Sequence, residues 1–169
     1  MIIIREAELS DAERLLEIYS YYVTDTAVSY EYDPPSLEEF SERIKKAKKA
    51  FTYLVALDEG KIVGYCYALP FHERKAYEKC VETSIYLDKN YKGQGIGRML
   101  YDEIQEELKN RGIKNIYACV AYPAVEDEYL TKDSYLFHQK MGFTECGHLR
   151  ECGYKFDRWY DMTYLEKII

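Results

Sequence analysis

Lys92-Gly93-Gln94-Gly95-Ile96-Gly97-Arg98 is the stretch on which the reading of this chain turns. Upstream, Val81-Glu82-Thr83-Ser84-Ile85-Tyr86-Leu87 has the β-branched and aromatic content of a strand. Downstream, Ile96, Leu100, Ile104 and Leu108 recur every fourth residue, with Met99 expected on the same apolar face, so an amphipathic helix follows. The glycines between strand and helix allow a tight turn with no Cβ in the way. Backbone N–H groups of the loop and the open helix start then converge on one point, a cradle for phosphate or pyrophosphate. A glycine-rich turn without a ligand is the plain alternative.

Spacing narrows the choice of cradle. A P-loop needs Gly-Lys-Ser/Thr, and no Ser or Thr follows Gly97; the dinucleotide pattern G-x-G-x-x-G fails at Leu100. What remains resembles the Q/R-x-x-G-x-G/A loop of the GNAT acyltransferase superfamily, which holds the pyrophosphate of acetyl-CoA. Lys92 stands where that family prefers Gln or Arg and keeps a hydrogen-bond donor there.

The chain has 169 residues, 47% of them hydrophobic, which suits one domain over 1–169 with a sizeable core. A net charge of −7 without a long basic run argues against a nucleic-acid partner. The densest positive cluster, Lys45-Lys46 and Lys48-Lys49, follows the capping box Ser36-x-x-Glu39 and fits a solvated helix face. Five scattered cysteines (Cys66, Cys80, Cys119, Cys146, Cys152) with no C-x-x-C pair favour structural thiols in a reducing compartment over disulfides or zinc, and no metal is called for. The start, Met1-Ile2-Ile3-Ile4-Arg5-Glu6, is too soon charged for a signal peptide, and no apolar run is long enough to span a membrane. A cytoplasmic domain is the expectation.

Ile2 to Arg5 suggests a first strand, and Ser10-x-x-Glu13 a helix cap before Leu15, Leu16, Ile18, Tyr19 and Tyr22. Pro34-Pro35 precedes a helix over Ser36 to Ala50. Phe51 to Leu57 and Lys61 to Phe71 form two strands around Asp58-Glu59-Gly60. Gly112 ends the helix after the glycine loop, Ile113 to Val120 is a buried strand, and Thr131 to Met141 a helix ended by Gly142. Strands over Phe143 to Cys152 and Arg158 to Leu165 close the chain. This order predicts an α/β fold, a mixed central sheet with helices on both faces.

Three further segments extend the resemblance to one branch. Tyr67-Ala68-Leu69-Pro70-Phe71-His72-Glu73-Arg74-Lys75-Ala76-Tyr77 is similar to Y-A-x-P-F/W-x-x-R-x-A-Y. Phe137-His138-Gln139-Lys140-Met141-Gly142-Phe143 resembles x-H-x-x-x-G-F/Y, and Leu149 to Asp161 matches L-R-x-x-G-x-K-x-x-x-W-x-D. Together with the glycine loop these resemble the phosphinothricin acetyltransferase branch of the superfamily. The resemblance implies a mostly antiparallel sheet of about seven strands, acetyl-CoA as co-substrate, a small-molecule amine as acceptor and a homodimer.

Glu82 is the candidate general base. An amine arrives protonated at neutral pH and must lose a proton before attacking a thioester, which a carboxylate of raised pKa can accept. Alternation puts Glu82, Ser84 and Tyr86 on one face of their strand and Val81, Thr83, Ile85 and Leu87 on the other. The alternative is a strand-edge glutamate paired with a cation; the resemblance places the family's catalytic carboxylate here. It places a second functional residue at His138, as an acid for the leaving thiolate or an orienting group, although a lone helix histidine is commonly structural. By the same resemblance Gly93 to Arg98 hold pyrophosphate, and the backbone of Ile85, Tyr86 and Leu87 binds the pantetheine arm. Thr131 stands at the position of the family's arm-holding Asn, and Ser134 is retained. Arg74 and Tyr77 suit a carboxylate or phosphinate clamp, with Tyr30 and His72 beside them; His72 replaces the branch's usual Lys. Of the 19 tyrosines, Tyr30, Tyr32, Tyr67, Tyr77 and Tyr86 are candidates to line an acceptor pocket, while Tyr101 and Tyr117 suit packing. The acidic stretch Pro123 to Ser134, longer than in the branch, is either an acceptor-site wall or a surface excursion.

The function expected is direct transfer of acetyl from acetyl-CoA to an amino acid or analogue, since no cysteine has a recognisable paired base. A non-catalytic acyl-CoA sensor is the competing class. Polyamines, antibiotics and protein N-termini are alternative acceptors.

Overall fold

The computed structural model describes residues 1–169. Its strands are β1 (Ile2–Glu6), β2 (Tyr53–Asp58), β3 (Lys61–Pro70), β4 (Cys80–Leu87), β5 (Asn115–Tyr122), β6 (Thr144–Lys155) and β7 (Arg158–Ile168). Helices α1 (Ala12–Thr24), α2 (Leu37–Ala50), α3 (Ile96–Asn110) and α4 (Asp133–Lys140) connect them. All seven strands form one sheet in the order β1-β2-β3-β4-β5-β7-β6. Every neighbouring pair is antiparallel except β4 and β5. The mixed, mostly antiparallel sheet expected from the sequence is therefore the one observed.

Two apolar layers sandwich this sheet. On one face α3 buries Ile96, Leu100, Tyr101, Ile104 and Leu108, each at most 1% exposed, against Val81, Ile116, Ala118 and Leu165. Each of those side chains contributes about 1.5–3 kcal/mol relative to exposure, and Leu100→Ala is expected to cost about 2–5 kcal/mol. Met99 departs from expectation: it is 41% exposed, one step of 100° off the buried stripe. On the other face α1 and α2 cover Tyr53, Val55 and Tyr65, with Leu15, Ile18, Val23, Phe40 and Ile44 packed onto them.

Helix starts follow local chemistry. The Ser36 hydroxyl accepts the Glu39 N–H at 3.1 Å, the cap expected for α2. The start of α1 differs from the reading. A single 3₁₀ turn over Leu9–Asp11 comes first, and the Asp11 carboxylate accepts the Glu8 N–H while held by Arg5. Asp11 binds both the preceding backbone and a cation, which Ser10 cannot do. Gly112 and Gly142 follow α3 and α4 at positive φ, as expected. All five cysteines are free; Cys66 is buried, whereas Cys119, Cys146 and Cys152 are exposed, so only part of the set has the structural role expected. No helix is long and apolar enough to cross a membrane.

Candidate active site

The site begins where two parallel strands part. β4 and β5 pair only through Cys80, Val81 and Glu82 opposite Asn115, Ile116 and Tyr117. Beyond Glu82, β4 stays with β3 and β5 stays with β7, so their facing edges separate. The backbone groups along those edges have no ladder partner across the gap, and buried backbone polar groups need one. Thr83 to Tyr86 line one wall and Ala118 to Ala121 the other, with Val28, Leu130, Ser134 and His138 closing the sides. A wedge of this kind accepts an extended amide-bearing chain as a strand would be accepted.

At the far end of β4 the glycine loop leads into α3. Gly95 is the N-cap at φ 81°, in the left-handed region, and no side chain caps the helix. The first closed helical bond runs from the Met99 N–H to the Gly95 carbonyl, which leaves the N–H groups of Ile96, Gly97 and Arg98 free. Lys92, Gly93, Gln94, Gly95 and Arg98 are exposed around this start. The Lys92 ammonium lies over the Tyr22 ring at 5.1 Å, a positive charge beside the helix N-terminus. Gly97 has a different reason to be glycine: a Cβ there would meet the Phe137 ring at 3.1 Å, so α4 could not approach α3 as closely. The parted strands and the uncapped helix fit a ligand with an amide-rich arm and a pyrophosphate. Ile85 and Tyr86 line the cleft, whereas the Leu87 carbonyl already accepts from the Tyr22 hydroxyl.

Glu82 sits at the apex of the split, half-buried, on the face shared with Ser84 and Tyr86. Burial pushes its carboxyl above the ordinary value, and the His72 ring opposes the shift. A surface glutamate neutralised by a cation would be shifted the other way. The excursion between β3 and β4 carries the other predicted acceptor residues. Phe71 stacks on Tyr117 at 4.3 Å, His72 lies 4.4 Å from Phe71, and Tyr77 lies 5.1 Å from His72. His72, Arg74 and Tyr77 thus line one open cleft, together with Lys46 from α2.

His138 is 3% exposed and fixed at both nitrogens. Nδ1 lies 2.7 Å from the Ser134 carbonyl, which can only accept, so the proton is on Nδ1. Nε2 therefore accepts from the Tyr101 hydroxyl at 2.9 Å, and Tyr101 accepts from Thr83 at 3.1 Å. Burial lowers the ring's pKa to about 4, so it is neutral at pH 7. His138 stands in the last turn of α4, which begins two residues later than the span read from the sequence.

Other predicted residues lie elsewhere. Tyr30 packs its ring over Gly153 and donates to the Asp161 carbonyl, outside both clefts. Thr131 is exposed, and its hydroxyl accepts the Asp133 N–H at 3.3 Å; Ser134 alone of that pair lines the cleft. The acidic stretch is largely occupied by its own contacts. Asp127 accepts from the Tyr129 and Leu130 N–H groups and from Tyr160, and Arg158 neutralises Asp127 and Glu128.

Three residues were missed by sequence reasoning. Lys46 is exposed, as the solvated face to which it was assigned requires, yet it also lines the cleft of His72 and Arg74. Cys119 lines the cleft, as alternation from Tyr117 would have shown. Tyr101 does pack, as expected, but its hydroxyl also joins Thr83 to His138, which only the fold reveals.

Residues 4–164 match the family described as Acetyltransferase (GNAT) domain. Phosphinothricin N-acetyltransferase of Streptomyces viridochromogenes is 27% identical over 164 residues, covering 97% of this chain and 86% of the relative. The L-methionine sulfoximine/L-methionine sulfone acetyltransferase of Pseudomonas paraeruginosa is 26% identical over 165 residues, covering 96% and 92%. Among solved structures, a GNAT superfamily phosphinothricin acetyltransferase from Sinorhizobium meliloti in complex with AcCoA superposes with a TM-score of 0.91 at 32% identity, covering 99% of this chain and 88% of that one.

Proposed function

The chain belongs to the GNAT acetyltransferase family, and from that premise we propose that it transfers acetyl from acetyl-CoA to the primary amine of an amino acid or amino-acid analogue of the phosphinothricin or methionine sulfone type. The observation that carries this reading is a half-buried carboxylate, Glu82, at the apex of the β4–β5 split. Bound in that split, acetyl-CoA supplies the carbonyl that an amine attacks, the C–N bond forming as the C–S bond breaks. CoA leaves as the thiolate, which takes up the second proton shed by the acylated nitrogen and departs as free thiol. The N–H groups of Gly93 to Arg98 bind pyrophosphate, and the free edge of Ile85 and Tyr86 orients the arm, beside Leu87, whose carbonyl is held by Tyr22. Ser134 faces the same arm, with Thr131 at the outer end of that loop. Glu82 takes the proton that the attacking amine gives up, directly or through water. Proximity supplies much of the remaining acceleration.

His138 acts as an orienting group in this reading. A neutral ring whose Nε2 accepts from Tyr101 has no proton there to give. Cys119 faces the cleft, but surrounding protein and the Glu82 charge hold its thiol up at about 12, so it stays protonated at neutral pH. That favours direct transfer over an acyl-cysteine route. Arg74, Tyr77 and His72 hold the acceptor's carboxylate or phosphinate, with Lys46 facing them. The neutralised acidic loop weighs against polyamines. A cytoplasmic homodimer completes the reading, and light scattering of the purified chain checks its oligomeric part.

The test is release of free thiol from acetyl-CoA with a panel of amino acids, methionine sulfone, phosphinothricin and polyamines, with Glu82→Gln alongside. Turnover confined to amino acids and analogues, and lost in the variant, is expected. CoA binding without turnover of any amine would instead identify an acyl-CoA sensor.

A further inference from the structure

Beside the split, under α1 and α2, lies a cavity of about 260 Å³ walled by aromatic rings. Tyr53, Tyr65 and Tyr67 stack along its floor with ring planes within 18° of one another and centroids 4.9 to 6.4 Å apart. Phe40 and Tyr19, themselves stacked at 5.8 Å, close it from the helices. Arg43 and Lys46 stand among its lining residues.

Three observations tie this cavity to acetyl transfer. Leu69, another of its lining residues, pairs with Glu82 across the β3–β4 ladder, and Tyr67 pairs with Ser84. Paired residues project from the same face with Cβ atoms about 5 Å apart, so the cavity opens directly beside the proposed base. Lys46 belongs both to this cavity and to the cleft of His72 and Arg74. Arg43 is already held by Glu31 at 2.6 Å and Glu39 at 2.8 Å, whereas Lys46 faces the shared rim between the two spaces.

We infer that this cavity receives the side chain of the acceptor, and that the preferred acceptor is an α-amino acid with an aromatic side chain. An amino acid held with its amine at Glu82 and its carboxylate between Lys46 and Arg74 has its side chain directed to the third space. Flat ring walls favour a flat occupant, because offset and edge-to-face contacts add to simple burial. Of the phenol groups at the cavity, that of Tyr19 is engaged with Ser29 at 2.8 Å. The two cationic side chains disfavour a lysine- or arginine-like acceptor.

This inference rests on the acetyl-transfer reading, and one experiment separates their failures. Free-thiol release is measured as kcat/KM for L-phenylalanine, L-tyrosine, L-tryptophan, L-alanine, methionine sulfone and phosphinothricin. L-phenylalanine is expected to exceed L-alanine by about 10- to 100-fold, the range for burying one large apolar side chain. Phe40→Trp, which extends a larger ring into the cavity, is expected to lower the phenylalanine-to-alanine ratio at least about 10-fold. Equal kcat/KM for alanine and phenylalanine, or a preference for the sulfone or phosphinate, overturns the aromatic assignment and leaves acetyl transfer standing. No turnover of any amine overturns both. The wild-type ratio decides alone if Phe40→Trp does not fold.

Discussion

Replacing Glu82 by Gln tests the centre of the argument, because the structure predicts opposite effects on catalysis and on stability. The substitution keeps shape and removes only the charge and the proton-accepting capacity. Loss of a positioned general base lowers kcat by about 100- to 10,000-fold, or about 3–5 kcal/mol of barrier at 1.36 kcal/mol per tenfold. Affinity for acetyl-CoA is expected to hold, since the pyrophosphate and arm sites are built from other residues. Stability should hold or rise. Burial raises the Glu82 carboxyl above its ordinary 4.5, so the folded chain binds its proton more tightly than the unfolded chain. Stability contributed by this group therefore falls as pH rises from the ordinary value through the raised one, and at neutral pH the charged carboxylate is a net burden. Glutamine removes that burden. The wild type should also show kcat/KM rising with pH through the raised value, a limb absent in the variant. Thiol-release kinetics from pH 5 to 9, calorimetric titration with CoA and urea unfolding at pH 7 measure the three effects. A kcat within about threefold of wild type would refute the assignment of Glu82 as base. Marked destabilisation would refute the account of its burial.

Lys155, 4% exposed, donates to the carbonyls of Val23, Thr26 and Ser29 at 2.6, 2.8 and 2.7 Å. Lys155→Met orphans all three and is expected to cost about 3–5 kcal/mol in urea unfolding; a loss under about 1 kcal/mol would contradict that count. Gly95→Ala forces a side chain to φ 81° at the start of α3, so CoA affinity by titration should fall at least about tenfold through the displaced N–H groups; unchanged affinity would place the phosphates elsewhere. Arg74→Ala is expected to raise KM about tenfold for acceptors bearing a carboxylate, and to leave simple amines such as phenethylamine unaffected. An equal rise for both would remove the clamp.

The amino-acid sequence by itself determined the order and kind of the elements, because period and punctuation are local properties. The apolar stripe of α3, the Ser36 cap, the alternation along β4 and the glycines after α3 and α4 each depend on residues a few positions apart. Resemblance of the quoted motifs carried the family and named Glu82, His138 and Arg74. Where local chemistry offered two caps, as at Ser10 and Asp11, the contact with Arg5 decided, and that contact crosses from strand to helix. The tertiary structure alone decided which side chains meet. β4 and β5 are neighbours only because the sheet order brings residues 80–82 beside 115–117, and their parting creates the cleft. The neutral state of His138 follows from burial among Tyr101, Phe137 and Phe143, on three different elements or loops. Tyr30 lies against Gly153, and Lys46 lines the cleft of His72, Arg74 and Tyr77, because helix and hairpin packing direct side chains that no spacing rule can direct. Burial and long-range pairing are properties of the whole fold, and they turn an inventory of residues into a site.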